Sequence, residues 1–441
     1  MTSTAARSPV HVCGGCGHSS ARWFGRCPAC GEWDSAAAAP SANAPEVRVV
    51  ELGSCTTADE RWPTGMVEVD RVLGGGVVPG SVCLLAGDPG VGKSTFVLQL
   101  LDGLGRAGRR CLLVTGEESL AQTAMRARRV GVDLGTLRAA ASTSLDAVMA
   151  AARRERADVL VVDSIQTLSD PSLEQSAGSV VQVRECAATL VRYAKAEGTA
   201  IVLVGHVTKE GSVAGPKALE HVVDVVLTLE GERGGALRLL RAAKNRYGSC
   251  EEAGVLTMTA RGLEGVADPS AMLLADRKPG APGSCVFCGL EGSRPVLVEL
   301  QALVADSQLT QPRRVAIGVD ARRMALLLGV MSQGDTGLGR RDVFLAASGG
   351  VAVREPAADL GLCLAIYSAA RSLALPEDLV AIGEVGLAGE VRRVPGLDRR
   401  LSEAARLGFR RALVPPDATH RDCGMETRGV ADLAAALRAV T

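Results

Sequence analysis

The nine residues Gly87-Asp88-Pro89-Gly90-Val91-Gly92-Lys93-Ser94-Thr95 fit the pattern G-x-x-x-x-G-K-[ST] at every required position. The chemistry of such a run is phosphate binding. Its glycines let backbone N–H groups turn inward around phosphate oxygens. The lysine, here Lys93, reaches the β- and γ-phosphates, and the hydroxyl, here Ser94, meets Mg²⁺. The implied ligand is ATP.

A second constellation lies near the N-terminus. Cys13-x-x-Cys16 and Cys27-x-x-Cys30 are each followed by glycine, Gly17 and Gly31, which suits the tight turn of a metal knuckle. Four thiolates are the donor set that tetrahedral Zn²⁺ prefers, with iron–sulfur ligation as the rival. So small a module has too little core to fold unaided, which couples its folding to the metal. Arg22, Trp23, Phe24 and Arg26 sit between the pairs, where they either touch DNA or a partner or, for Trp23 along with Trp33, pack against the metal core. The remaining cysteines are scattered through apolar runs, as Cys83, Cys111, Cys186 and Cys363 are, and read as small core residues. A lone Cys285-x-x-Cys288 could suggest a second metal site, but no second pair is nearby, so it reads as core or surface cysteines.

A phosphate loop works only where a strand delivers it and a helix receives it. The apolar run at 81–86 precedes this one, and residues 96–101 continue it as an amphipathic helix whose N-terminus adds its positive end. From about Arg61 to Arg261, apolar runs of strand length alternate with helical stretches. Strands are predicted at 81–86, 110–115, 158–163 and 199–204, and helices at 94–106, 120–130, 145–156 and 179–195. That alternation means a mainly parallel sheet covered on both faces, with ligands at the C-terminal strand ends.

Further candidates fall at those ends. Asp163 closes Val159-Leu160-Val161-Val162-Asp163 and suits the Mg²⁺ carboxylate. Glu117 and Glu118 follow the strand that ends at Thr115. Glu117 is favoured as the group that orients and deprotonates the attacking water, with Glu118 as the alternative. His206, in Gly205-His206-Val207-Thr208-Lys209, is placed to sense the γ-phosphate. Residues 211–221 hold two glycines, a proline and Lys217, and read as a mobile binding loop. In Lys244-Asn245-Arg246-Tyr247-Gly248, two cations flank one asparagine and can pair with phosphates of DNA or of a neighbour's ATP.

Composition narrows the class. The 49 basic residues balance 49 acidic ones, so no global field draws the chain to nucleic acid or membrane and any DNA contact is local. Aromatic residues make up 2%, too few for a broad base-stacking platform. No apolar run approaches the ~20 residues of a membrane span, and no signal-peptide core opens the chain, so the expected location is cytoplasmic. Residues 35–45, mostly alanine, serine and proline, read as a linker, and 47–52 as a short strand. From about Asp268 to the C-terminus a separate α/β alternation appears, with strands predicted at 295–305, 313–319, 342–347, 379–386 and 411–414. Helices are predicted there at 321–331, 357–370, 397–407 and 430–440. The domain boundaries expected are a finger at 1–35, a linker at 36–58, an ATPase core at 59–265 and a second α/β domain at 266–441.

Together these motifs resemble the bacterial RadA (Sms) family of DNA repair and recombination ATPases, over essentially the whole chain. The likeness rests on the four-cysteine finger, the phosphate loop, Gly116-Glu117-Glu118-Ser119, the segment 204–209, and Lys244-Asn245-Arg246-Tyr247-Gly248. The last is similar to the family's K-N-R-F-G signature, with tyrosine in place of phenylalanine. The resemblance implies an α/β fold: a RecA-like ATPase core with an N-terminal C4 zinc finger and a C-terminal α/β Lon-protease-like domain. It implies a homo-hexameric ring in which Lys244 and Arg246 reach a neighbour's γ-phosphate. Loops around Lys209 and Lys217 would grip single-stranded DNA, and hydrolysis would drive branch migration beside the RecA recombinase. The Lon-like tail raises a protease, but Ala357 stands at the nucleophile's position and Asp398 at the lysine's, so both groups of the Ser–Lys dyad are missing. The domain then reads as a ring scaffold, with a basic DNA-facing surface from Arg313, Arg314, Arg322 and Arg323. The competing function is a RecA-fold regulatory switch that binds ATP and acts on protein partners without moving on DNA.

Overall fold

The computed structural model describes residues 11–38, 51, 60–206, 216–231, 237–333, 337–416 and 424–441. The chain divides into two compact units, Met1–Asp59 and Glu60–Thr441.

In the first unit, β1 (His11–Cys13) pairs antiparallel with β2 (Ser19–Ser20) and with β3 (Ala36–Ala38). The linker expected from residue 36 therefore starts later. An alanine tract carries no side-chain signal for a strand, yet its backbone closes the small sheet beside Cys13. The strand expected at 47–52 lies outside the described residues apart from Glu51. Trp23 and Trp33 are 64% and 70% exposed, so neither packs as a core residue of this unit.

The second unit is built on two sheets. Its first part runs α1 (Val67–Leu73), β4 (Val82–Gly87), α2 (Lys93–Arg106), β5 (Cys111–Thr115), α3 (Leu120–Arg129), β6 (Leu137–Ala141), α4 (Leu145–Glu155), β7 (Val159–Asp163), α5 (Val180–Glu197), β8 (Ala200–His206), β9 (Val225–Glu230), β10 (Leu237–Asn245), β11 (Ala253–Thr259) and β12 (Gly262–Gly265). The strand order is β12-β11-β10-β9-β4-β8-β7-β5-β6. The strands from β9 through β6 are mutually parallel, and β10, β11 and β12 add an antiparallel edge. Along β4 the side chains divide between two cores, Cys83 and Leu85 on one face and Val82 and Leu84 on the other. That is why its sequence reads as a continuous apolar run rather than an alternation. Helices α3, α4 and α5 each begin at a serine whose hydroxyl accepts a backbone N–H, Ser119, Ser144 and Ser179.

The second part runs α6 (Pro269–Leu274), β13 (Ser284–Glu291), β14 (Arg294–Asp306), β15 (Arg314–Ile317), α7 (Ala321–Ser332), β16 (Arg341–Ala347), α8 (Asp359–Arg371), β17 (Leu379–Ala381), β18 (Glu384–Val385), β19 (Val391–Arg392), α9 (Leu397–Arg406), β20 (Arg411–Val414), β21 (Glu426–Gly429) and α10 (Leu433–Val440). A mixed sheet of order β15-β16-β14-β13-β17-β20-β21 packs against α8, the most buried helix here. The single strand expected at 379–386 is broken after Ala381, and β18 pairs instead with β19. Gly383 lies at the break, and a Cβ there would stand 2.8 Å from Val391 Cγ1. Cys285 and Cys288 are buried on β13, as core residues.

Ion pairs join the two sheets. Arg294 of β14 pairs with the buried Glu68 of α1, whose carboxylate also accepts the Val255 N–H at 2.8 Å. Arg241 of β10 pairs with Glu291 of β13. Burial pushes the Glu291 carboxyl up, and the neighbouring Arg241 offsets this only in part.

Candidate nucleotide site and metal centre

The loop 87–95 joins the C-terminal end of β4 to the first turn of α2. Its glycines are there for stated reasons. Gly90 and Gly92 have φ of 83° and 117°, in the left-handed region, and a Cβ on Gly87 would stand 2.5 Å from the Leu229 carbonyl oxygen. Lys93 is buried, and its Nζ donates to the carbonyls of Gly87 at 2.8 Å and Asp88 at 3.1 Å. Burial pulls its pKa down, while the charges of Asp163, Asp88 and Glu117 act against that. Two carboxylates predicted at separate strand ends, Asp163 and Glu117, thus act on the same ammonium as Asp88 of the loop itself.

The strand register explains the convergence. Asp163 pairs with Thr115 on one side and Val204 on the other, and Gly87 pairs with His206. Gly116 follows Thr115 where a Cβ would stand 2.0 Å from Thr167 Oγ1, so only glycine lets that turn close over β7. The two adjacent glutamates are then separated by partner. Ser164 Oγ donates to Glu117, whereas Glu118 forms an ion pair with Arg126 of α3. Ser164 is a fully buried residue that the sequence reading missed, and its place directly after the strand-ending Asp163 was the available signal.

Lys244 and Arg246 lie elsewhere. β10 runs antiparallel to β9, so its end, Asn245, pairs with Val225, and Val225 pairs with Cys83. Cys83 to Gly87 is four residues of extended strand, roughly 13 Å, which an arginine side chain does not span. These cations cannot meet phosphates in the loop of their own chain. Lys244 Nζ donates to the carbonyls of Glu220 at 2.6 Å and Val223 at 2.8 Å. Arg246 Nη1 donates to Asp224 at 3.1 Å. The turn is fixed by Arg61, which donates to the carbonyls of Leu73 and Tyr247. Lys217 is exposed, and Lys209 lies outside the described residues.

The basic surface expected on the second sheet is narrower than four arginines. Arg314 donates to the carbonyls of Arg341 and Leu338, and Arg323 pairs with Asp359. Desolvation favours spending a guanidinium on such internal acceptors once its stem is half-buried. Arg313 and Arg322 are exposed. Around the expected dyad, Ala357 is buried beside two ion pairs, Arg323–Asp359 and Arg400–Glu355.

In the N-terminal unit, the sulfurs of Cys13, Cys16, Cys27 and Cys30 all lie within 4.8 Å of one another. Two sulfur pairs, Cys13–Cys30 and Cys16–Cys27, stand at 3.6 Å. A tetrahedron with Zn–S bonds of about 2.3 Å has edges of roughly 3.8 Å, so the cluster fits Zn²⁺. Each knuckle is closed by a glycine N–H, Gly17 to the Cys13 carbonyl and Gly31 to the Cys27 carbonyl, both at 2.9 Å.

Comparison with known proteins agrees with this geometry. Residues 11–36 match the rubredoxin metal binding domain, 55–212 the AAA domain, and 345–418 the subunit ChlI of Mg-chelatase. The DNA repair protein RadA of Pseudomonas aeruginosa is 50% identical over 420 residues, 92% of each chain. The chain belongs to the RadA family. The DNA repair protein RadA of Escherichia coli K12 is 45% identical over 98% of each chain, and that of Bacillus subtilis 168 is 42% identical over 97% of each. The RadA likeness spans both units, so the zinc ribbon, the RecA-like core and the ChlI- and Lon-like C-terminal part are features of one family architecture. No helix among the described residues is long and apolar enough to cross a membrane.

Proposed function

We propose that the chain is a DNA-dependent ATPase of recombinational repair, which translocates on single-stranded DNA and extends heteroduplex at branched intermediates with the RecA recombinase. The observation that carries the reading is the strand register, which brings Asp163 and the turn bearing Glu117 to the same sheet end as the phosphate loop and Lys93, in a chain whose relatives of similar length are named DNA repair proteins. The backbone of Gly87, Asp88, Pro89, Gly90, Val91 and Gly92 cradles the triphosphate of ATP, and Lys93 turns from the Gly87 and Asp88 carbonyls to its β- and γ-oxygens. Ser94 and Asp163 would hold Mg²⁺, which when bound would neutralise charge developing on the phosphates. Thr95 supports the start of α2. Glu117, oriented by Ser164, positions the attacking water and takes its proton; Glu118 is already committed to Arg126. His206, paired through its backbone with Gly87, reports the γ-phosphate to the segment holding Lys209 and Lys217, which contacts DNA phosphates.

Lys244 and Arg246 complete the site of the next subunit in a homo-hexamer in the cytoplasm. Their distance from their own loop supports action in trans. Ala357 supplies no nucleophile and Asp398 no amine base, which supports a scaffold rather than a peptidase.

The test is ATP hydrolysis by purified protein with and without single-stranded DNA. Stimulation by DNA is expected. Flat turnover would instead favour a switch that acts on protein partners. Lys244→Ala and Arg246→Ala are each expected to leave ATP affinity near that of the parent and lower turnover by about 10²-fold, the scale for removing one preorganised donor. Heteroduplex extension at the parental rate by either variant would remove the finger assignment.

A further inference from the structure

Asp224 lies in the run Val222-Val223-Asp224-Val225-Val226, where every neighbour is valine, and its side chain is 2% exposed. A carboxylate buried among valines is costly unless paired and hydrogen-bonded. Its two oxygens are used differently. Oδ2 accepts from the Val82 N–H at 3.0 Å and from Lys195 Nζ at 2.7 Å. These partners, on β4 and α5, fix the plane of the carboxylate. Oδ1 faces the finger and accepts from Arg246 Nη1 at 3.1 Å. The Asp224 carbonyl also accepts the Arg246 backbone N–H at 3.2 Å.

We propose that Asp224 is a positioning residue for Arg246, aiming the guanidinium outward toward a neighbour's phosphates, with Lys195 as the fixed counter-cation. The inference rests on Arg246 acting in trans. Charge supports it. Asp224 meets two cations, so the trio of Lys195, Asp224 and Arg246 keeps a net positive charge for an incoming phosphate. The Arg246 side chain is 55% exposed, so its seat on Asp224 leaves guanidinium surface facing out. Lys195 is itself steadied by Tyr247, whose hydroxyl accepts from Nζ at 3.0 Å. Tyrosine where the family signature has phenylalanine thus adds a bond that phenylalanine cannot make. Burial raises the Asp224 pKa, but the bonds from Lys195 and the Val82 N–H outweigh it and hold the carboxyl below its ordinary value, so the seat is anionic at neutral pH. β4 runs from this seat to the chain's own phosphate loop.

The test uses full-length Asp224→Asn, which keeps an acceptor for the Val82 N–H and removes the charge. Its KM for ATP is expected to stay near the parental value while kcat falls ~10-fold or more, the split expected of an interaction that matters in the transition state. Mixing with Lys93→Ala subunits, which cannot hydrolyse ATP but carry intact fingers, should raise turnover above that of either variant alone. Arg246→Ala mixed in the same way is the reference. If Arg246→Ala is rescued and Asp224→Asn is not, or if Asp224→Asn turns over at the parental kcat, the positioning role is overturned while the finger stands. If neither is rescued, the trans finger fails and the inference fails with it. Should Asp224→Asn not fold, Lys195→Gln carries the test. Its kcat is expected to fall several-fold at constant KM, because Asp224 would then neutralise Arg246 alone, and an unchanged kcat overturns the proposal.

Discussion

Lys93→Ala is expected to reduce ATP turnover by ~10³-fold or more, with DNA present or absent. Asp88, Asp163 and Glu117 all act upon this one lysine. Without it, the γ-phosphate would enter a pocket dominated by three carboxylates. The loss is therefore double: attraction to the phosphates disappears, and repulsion from the acids is no longer countered. Alanine is a strong helix former and begins α2 without strain, so the far-ultraviolet circular dichroism should match the parent and assign the defect to the site. Lys93→Arg should fail as well. The Nζ fits between the carbonyls of Gly87 and Asp88 at 2.8 and 3.1 Å, a seat for a compact ammonium rather than a planar fork. Turnover by Lys93→Ala within tenfold of the parent would mean that the loop is not the hydrolytic site.

What the sequence reveals here follows from how local each signal is. The phosphate loop, Asp163 and the paired cysteines are legible because their residue types and spacing are themselves the chemistry. The parallel strands around β4 are legible because burial on both faces leaves continuous apolar runs. By contrast β13 carries an apolar run, Cys285-Val286-Phe287-Cys288, but the Cys-x-x-Cys spacing inside it draws attention to metal ligation rather than to a strand, and only its register with β14 shows both cysteines as ladder residues. Ala36–Ala38 reads as linker because an alanine tract has no side-chain pattern to mark its pairing with β1. The features that distinguish Glu117 from Glu118, their partners Ser164 and Arg126, lie 47 and 8 residues away in sequence, so nothing local sets the two glutamates apart. Asp224 does carry a sequence signal. An acid inside a valine run is an unpaid desolvation cost until its partners are found, and those partners, Lys195, Val82 and Arg246, come from three separate elements. Trp23 and Trp33 mislead in the other direction: large apolar side chains suggest a core, but a module closed by four thiolates does not require one.

That last point sets the size of the second effect. The unit that holds Cys13, Cys16, Cys27 and Cys30 exposes both its tryptophans, and among its described residues the two buried hydrophobic ones are the ligands Cys13 and Cys27 themselves. Three strands of two or three residues cannot hold such a module together. Metal binding must supply the folding free energy, for which structural Zn²⁺ in small fingers provides about 10–16 kcal/mol. Cys27→Ser replaces a buried thiolate with a hydroxyl that Zn²⁺ does not prefer, leaving three soft ligands and an open position. Zinc content is expected to fall from one per chain to near zero, and residues 11–38 should become open to limited proteolysis. The thermal transition of Glu60–Thr441 should stay where it is, because that unit is compact in itself and carries its own buried cores. Chelation of the parent protein should reproduce both results. One zinc per chain retained by Cys27→Ser would place the metal on other ligands. A matching fall in the main thermal transition would mean that the ribbon contributes to the stability of the rest of the chain.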